Sequence, residues 1–155
     1  MPTISIKYAN VVFETTRLLL ILLFTYTAVS KLIGHYLFLQ QLRNNPVLQW
    51  MAVFLSIAVP LLELAAALCL LFIKTGNTGW WISGILMSSF TIYIAAMLWF
   101  SPKLPCSCGG IIDALSWKQH LIINGLLSML CWMKLYQHHY VHKINILTGS
   151  KPKTL

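Results

Sequence analysis

Two cysteines separated by one serine, Cys106 and Cys108, are the residues whose type and spacing most clearly suggest chemistry. They lie in the segment PKLPCSCGGIID (102–113), where two prolines stiffen the chain and a Gly-Gly pair permits a sharp turn. A disulfide between residues so close in sequence closes a small ring, and strain in that ring raises its reduction potential. Lys103 would help to stabilise a thiolate. We therefore expect a reversible thiol–disulfide pair.

Two other roles fit the same cysteines. Their disulfide could be a permanent staple that only shapes a loop, and two soft sulfur atoms could bind Cu(I). A zinc site would need four ligands, and His120 is the one candidate for a third, so no metal site is predicted. The staple stays open as an alternative to the redox pair.

The other two cysteines are expected to be structural. Cys69 and Cys131 fall inside apolar spans, about 30 Å and about 18 Å below the surface that carries the Cys-Ser-Cys segment. A disulfide requires Cα atoms within about 7 Å, so neither cysteine should reach that segment. Buried thiols usually act as small apolar side chains.

The composition indicates an integral membrane protein. Of the 155 residues, 58% are hydrophobic and 9% are charged, whereas soluble domains carry about 25% charged residues. The net charge of +8 comes from basic residues scattered at the ends of apolar runs. This distribution is typical of topology determinants and lipid contacts, and it argues against nucleic-acid binding.

Four apolar segments predict an all-α fold, an integral membrane four-helix bundle with up-down-up-down topology. We expect a single domain over residues 1–143 and a polar tail over residues 144–155. The first and fourth spans cross the membrane only by including polar residues, which should face other helices. The predicted spans cover about residues 18–33, 50–73, 79–100 and 120–136.

Tryptophans near the predicted span ends suggest the membrane interface, where indole rings concentrate. These residues are Trp50, Trp80, Trp81, Trp99 and Trp117.

A cleaved signal peptide over residues 1–30 is the alternative for the first span, with Ala28-Val29-Ser30 as its cleavage site. The long stretch before the apolar run carries Glu14, which favours a retained helix. Glu14 and Arg17 are three residues apart and are expected to pair with each other.

The basic residues also predict the orientation. The N-terminus, the 74–79 loop and the C-terminal end carry seven Lys and Arg residues, and loops 31–49 and 101–119 carry four. The positive-inside rule then places both termini in the cytoplasm. In a bacterial inner membrane, the hairpin of residues 101–119 would face the oxidising periplasm.

An acidic residue within the second span, Glu63, predicts a polar site inside the bundle. Pro60 frees a backbone carbonyl at about the same depth. Candidate partners are Lys31, His120 and Asn124, and the last two share a helix face because they are four residues apart. The group either forms a proton-handling or ligand-binding pocket or is a hydrogen-bonded cluster that fixes helix packing.

These features resemble the MauE/DoxX-type family of redox-associated membrane proteins. The resemblance rests on RLLLILLFTYTAVSKL, PLLELAAALCLL, the Cys-Ser-Cys-Gly-Gly hairpin and SWKQHLIINGLL, and covers roughly residues 15–135. It implies thiol–disulfide chemistry beside a thioredoxin-like partner during maturation of a disulfide-rich periplasmic enzyme. DoxD relatives, and the architecture of DsbB and vitamin K epoxide reductase, add quinone as an open cofactor, although their Cys-x-x-Cys motif is missing here.

The predicted function is therefore an inner-membrane thiol–disulfide component that exchanges disulfides with a periplasmic thioredoxin-like or disulfide-rich partner. Cys106 and Cys108 would carry the exchange, with either one attacking first. One alternative is a non-enzymatic assembly factor with a structural disulfide, and another is a small-molecule or ion carrier; a homodimer also stays open. The supporting pocket would comprise Lys31, Glu63, His120 and Asn124.

Overall fold

The computed structural model describes most of the helical part of the chain. Cys106 and Cys108 lie outside the described residues. The backbone is described for residues 2–45, 47–72, 76–100 and 116–148. Side chains are described for residues 8–45, 47–72, 77–99, 116 and 118–140.

The described elements are all helical, which confirms the predicted all-α class, and these parts contain no strand. A 3₁₀ turn at Gln49–Met51 leads into the third helix. The helices are α1 (Pro2–Ile33), α2 (His35–Arg43), α3 (Ala52–Leu71), α4 (Gly76–Phe100) and α5 (Trp117–Thr148).

Within the described residues, three helices are long and apolar enough to cross a membrane, which indicates a membrane protein. These candidate spans are Tyr8–Ile33, Gln49–Leu71 and Asn77–Trp99, and they overlap the first three predicted spans. The first begins before the expected residue 18 because the preceding stretch contains Val11, Val12 and Phe13 and no helix breaker.

The predicted fourth span, residues 120–136, lies within α5, a helix of 32 residues. Because α5 contains polar side chains such as His120 and Asn124, its mean hydropathy is lower than that of the three described helices that could cross a membrane. Its crossing of the membrane stays a prediction.

Neighbouring long helices run antiparallel in the order α1, α3, α4 and α5. The contacts of α4 with α5, of α1 with α3 and of α3 with α4 are extensive, whereas α1 meets α5 over a small area. Because lipid is as apolar as leucine, close packing rather than escape from water must hold these helices together. All four long helices contribute to one buried core, which includes Leu20, Phe24, Ala66, Leu70, Met87, Cys131 and Leu135.

Small residues allow α4 and α5 to approach closely. The backbone of Gly84 lies against Cys131, whose Cβ is 3.5 Å from the position that a Cβ on Gly84 would take. The hydroxyl groups of Ser88 and Ser128 are 2.8 Å apart and join the same two helices. Cys131 is a free, fully buried thiol, so its predicted role as a small core residue is confirmed.

Arg17 of α1 caps the C-terminus of α3. Its Nε donates to the carbonyl oxygen of Leu70 (2.7 Å), and a terminal nitrogen donates to that of Leu71 (3.2 Å). These carbonyls have no partner within their own helix, and a cation also complements the negative end of the helix dipole. The guanidinium also pairs with Glu14 at 3.3 Å, which confirms that predicted pair.

The tryptophans differ in their surroundings. Trp50 and Trp99 are 87% and 85% exposed near helix ends, as expected for interfacial residues. Trp80 is only 6% exposed and packs edge-to-face against Phe13 of α1, with centroids 6.4 Å apart. Trp80 lies near the start of α4 as expected, but its ring is buried against α1 and is not exposed at the surface.

The short helix α2 lies in the region that the sequence predicted as a loop, residues 31–49. It follows α1 after the single residue Gly34, packs mainly against α3, and buries Leu42. We call the end of the molecule that carries this helix the α2 end.

Asn45 fastens the chain after α2 to the last turns of α4. Its side-chain nitrogen donates to the hydroxyl of Tyr93 (3.0 Å) and contacts the sulfur of Met97 (3.3 Å). Its oxygen accepts a hydrogen bond from the backbone N–H of Val47 (3.0 Å). The C-terminal end of α4 therefore also lies at the α2 end.

Replacement of Gly79 by alanine is expected to destabilise the protein by about 1–3 kcal/mol. A Cβ at Gly79 would lie 2.7 Å from the backbone nitrogen of Leu70 and 2.9 Å from the carbonyl carbon of Cys69, so α3 and α4 must separate. The change can be measured by equilibrium unfolding in detergent.

Gly125→Ala is the matched control for Gly79→Ala. The nearest atom to a Cβ at Gly125 is 3.9 Å away, in Thr91, so this variant should be neutral or slightly stabilised. Equal losses in the two variants would contradict the close approach of α3 and α4.

Candidate functional site

A buried ion pair joins α1 to α3. Lys31 lies in the last turn of α1, and Glu63 lies in the second half of α3. The Lys31 ammonium donates a hydrogen bond to Oε1 of Glu63. The side chains are 19% and 1% exposed, respectively. An unpaired charge at the centre of a membrane helix costs about 2.5–3.5 kcal/mol of insertion free energy. Pairing of Lys31 with Glu63 therefore lowers this cost for both residues.

Two aromatic rings surround the ammonium group of Lys31. Its Nζ lies 5.7 Å from the ring centroid of Phe38 in α2 and 5.3 Å from that of Phe90 in α4. Aromatic faces attract cations by about 0.5–2 kcal/mol, depending on solvation. Four helices therefore contribute to one charged site.

The second carboxyl oxygen of Glu63 is a buried acceptor. Its Oε2 has no hydrogen-bond partner within the described part of the chain. Thr27, one turn before Lys31, lies beside the carboxyl group, but its hydroxyl donates to the carbonyl oxygen of Phe24 (3.3 Å). A buried polar atom without a partner costs about 1–3 kcal/mol. This oxygen can therefore accept a hydrogen bond from a small donor group.

A line of polar groups, which we call the polar row, leads from the α2 end into the protein. It is formed by His35, Ser56 and Glu63 and by a backbone carbonyl that Pro60 leaves free. Nε2 of His35 lies 3.2 Å from Oγ of Ser56, which is fully buried. Ser56, Pro60 and Glu63 share the inward face of α3, and the first and last are about 10 Å apart along the helix. Since proline has no N–H, the carbonyl of Ser56 lacks its usual helical partner. The row thus places polar atoms at successive depths.

His120 and Asn124 lie on α5 and are half-buried. The hydrogen-bonding neighbours of the Glu63 carboxyl group come from α1 instead. Asn124 lies at about the depth of the ion pair, because the adjacent Gly125 lies against Thr91 of α4. Of the predicted pocket residues, Lys31 and Glu63 are in direct contact, and the participation of His120 and Asn124 stays a prediction.

The contribution of α2 to this site was not predicted from the sequence. His35 and Phe38 fall in the segment HYLFLQQLR. In this segment the apolar residues 38, 39 and 42 recur at the spacing of one helix face, and polar residues lie between them. That pattern was the available signal. Ser56 had a similar signal, since it is four residues before Pro60 and seven before Glu63.

The predicted redox residues, Cys106 and Cys108, belong to the segment between Phe100, the last residue of α4, and Ser116, which precedes α5. The last turns of α4 lie at the α2 end. Because α5 runs antiparallel to α4, its first turn also lies there. The segment with the two cysteines thus joins two helices at the end from which the polar row begins.

Comparison with known protein families gives a match over most of the chain. The family described as "Methylamine utilisation protein MauE" matches residues 9–137. This range includes parts of all four long helices and the segment with Cys106 and Cys108. No match was found among curated proteins or among solved structures.

Removal of one member of the buried ion pair should be more damaging than removal of both. Lys31→Met leaves the Glu63 carboxyl group buried without its partner, so we expect a loss of about 3–5 kcal/mol in unfolding free energy. The double variant Lys31→Met/Glu63→Leu should recover most of this loss. A double-mutant cycle in detergent measures the coupling.

Glu14→Gln is the control for an exposed pair. The Glu14 side chain is 68% exposed, so loss of its contact with Arg17 should cost less than about 1 kcal/mol. If the loss in the double variant equalled the sum of the losses in Lys31→Met and Glu63→Leu, the two residues would not be energetically coupled.

Proposed function

Because the chain belongs to the MauE family of methylamine utilisation proteins, we propose that it is a membrane thiol–disulfide component serving that process. Cys106 and Cys108 would exchange disulfides with a periplasmic thioredoxin-like partner or a disulfide-rich client. The observation that supports the proposal is that the segment with this Cys-x-Cys motif joins α4 to α5, whose connected ends lie where the polar row begins.

The exchange conserves atoms and electrons. A thiolate of the reduced pair attacks the partner's disulfide, which forms a mixed disulfide and releases one partner thiolate. The second cysteine then attacks the mixed disulfide. The products are a Cys106–Cys108 disulfide and a dithiol partner, so two electrons have moved to the partner. The reverse sequence oxidises the partner.

The proposal includes α5 as a fourth crossing, both termini in the cytoplasm, and the cysteines on the periplasmic side of a bacterial inner membrane. The α4–α5 contact supports a buried position for α5 in lipid. Small residues such as Gly84 and a hydrogen bond between Ser88 and Ser128 are typical of packed membrane helices.

The polar interior would support this chemistry by holding and moving protons. Oε2 of Glu63 is the acceptor with spare capacity, and Lys31 stabilises the carboxylate. His120 and Asn124 would extend the polar groups towards the start of α5. A quinone, when bound, would supply a two-electron acceptor, and the Lys31 ammonium with its two flanking rings suits a planar carbonyl compound.

Trapping of a mixed disulfide tests the proposed exchange. Of the variants Cys106→Ser and Cys108→Ser, the one that retains the attacking cysteine should accumulate a covalent adduct with a periplasmic protein, because the resolving thiol is missing. The adduct can be detected by non-reducing electrophoresis and identified by mass spectrometry. The double variant should form none.

Cys131→Ser is the matched control, since its thiol is buried in the core, and it should trap as little as the unmodified chain. A pair with a midpoint potential well below about −300 mV and no adduct in either single variant would instead indicate a permanent staple. In that case the chain would be an assembly factor, and the double variant would still support its partner.

A further inference from the structure

A groove separates the first long helix from the last. α1 and α5 meet over a small area, although the other neighbouring long helices pack extensively. The gap has a volume of about 600 Å³. It is bounded by Phe13 of α1 and by one stripe of α5, which comprises Met129, Trp132, Met133, Tyr136, Gln137 and Tyr140.

The groove extends over about one leaflet of a bilayer. From Met129 to Tyr140 the helix rises about 16 Å, which is half of a hydrocarbon core of about 30 Å. On α1, Phe13 lies slightly more than one turn inside the span that begins at Tyr8. The groove therefore lies in the half of the protein opposite the α2 end.

Polarity changes along the groove. Its deep part carries Met129 and Met133, whose flexible side chains adapt to apolar ligands. Its outer part carries Gln137 and the stacked rings of Tyr136 and Tyr140, with centroids 6.4 Å apart. Tyrosines favour the depth of lipid headgroups. This order, from apolar to polar, is that of a phospholipid in one leaflet.

A cation without a counter-ion flanks the groove. Nζ of Lys134 lies 4.9 Å from the ring centroid of Phe13, and among the described residues it forms no ion pair. Glu14 and Glu63 are both paired with other basic residues. The third acidic residue, Asp113, belongs to the segment that joins α4 to α5 at the opposite end. Within the described residues, no acidic side chain is therefore left to pair with Lys134.

We propose that this groove binds an anionic phospholipid. An acyl chain lies along Met129, Trp132 and Met133, and the phosphate lies near Lys134. Basic pockets between membrane helices recognise anionic headgroups in this way. The site requires α5 to lie in the bilayer, as in the proposed function, but it is independent of the thiol chemistry.

Lipid preference of the purified full chain tests the site. Detergent-solubilised protein is incubated with phosphatidylglycerol or phosphatidylcholine of identical acyl chains, and retained lipid is counted by native mass spectrometry. Phosphatidylglycerol should be retained preferentially and should raise the thermal unfolding midpoint. Lys134→Gln should reduce the preference about fivefold, whereas Lys134→Arg should preserve it.

Lys118→Gln is the control for charge alone, because Lys118 is exposed at the other end of α5. This variant should keep the preference of the unmodified chain. Met133→Trp should fill the groove and reduce retention of both lipids. Since Met133 is 47% exposed, this variant should still fold.

Three outcomes would overturn the proposal. Equal retention of the two lipids, unchanged by Lys134→Gln, would remove headgroup recognition. A full midpoint shift with inorganic phosphate alone would indicate an ion site without a lipid. A stable dimer in which Met133→Trp abolishes association, with no lipid effect, would assign the groove to a second copy of the chain.

Discussion

The ion pair between Lys31 and Glu63 is the contact on which the arrangement of the helices near the α2 end depends. It fixes the level at which α1 meets α3, and the rings of Phe38 and Phe90 then bring α2 and α4 to the same charged group. Apolar packing alone would not define this level, because one leucine surface fits another almost equally well at several offsets. A buried charge has a single partner, so it defines the offset between the two helices.

Other polar contacts also define the offset between neighbouring helices, at other depths in the protein. Arg17 ties α1 to the last carbonyls of α3, and Asn45 ties the chain after α2 to Tyr93 of α4. A hydrogen bond between two serines joins α4 to α5. Each adjacent pair of long helices thus has a specific polar or close backbone contact. α1 and α5 meet over a small area, where Lys134 lies over the ring of Phe13, and there the groove opens.

Features that depend on a whole segment, such as a membrane span, were predicted from the sequence more accurately than contacts that depend on which face a helix presents. Three predicted spans overlap described helices that are long and apolar enough to cross a membrane, because length and apolarity can be read directly from the sequence. The pairing of Glu63 was narrowed to three candidates, since few partners exist in such a chain. Which candidate is in contact depends on helix rotation, and no residue pattern in the apolar spans reports rotation.

The features that the sequence did not predict also depend on how the helices are rotated and packed. Phe38 and Phe90 are apolar residues among many, so nothing in the sequence marks them as neighbours of a cation. Trp80 was expected at the interface because it is close to a helix end, and nothing in the sequence showed that its ring is buried against Phe13. The helix α2 is only nine residues long, and its pattern was too short to separate it from a loop.

The buried pair also has a consequence for biogenesis. Lys31 is synthesised 32 residues before Glu63, so α1 reaches the membrane before its partner exists. During that interval the ammonium group must remain near the headgroups, which its place in the last turn of α1 allows. α3 is apolar enough to enter lipid with its carboxyl group still unpaired. We therefore expect α1 to settle at its final depth only after α3 has entered the membrane and Glu63 can pair with Lys31.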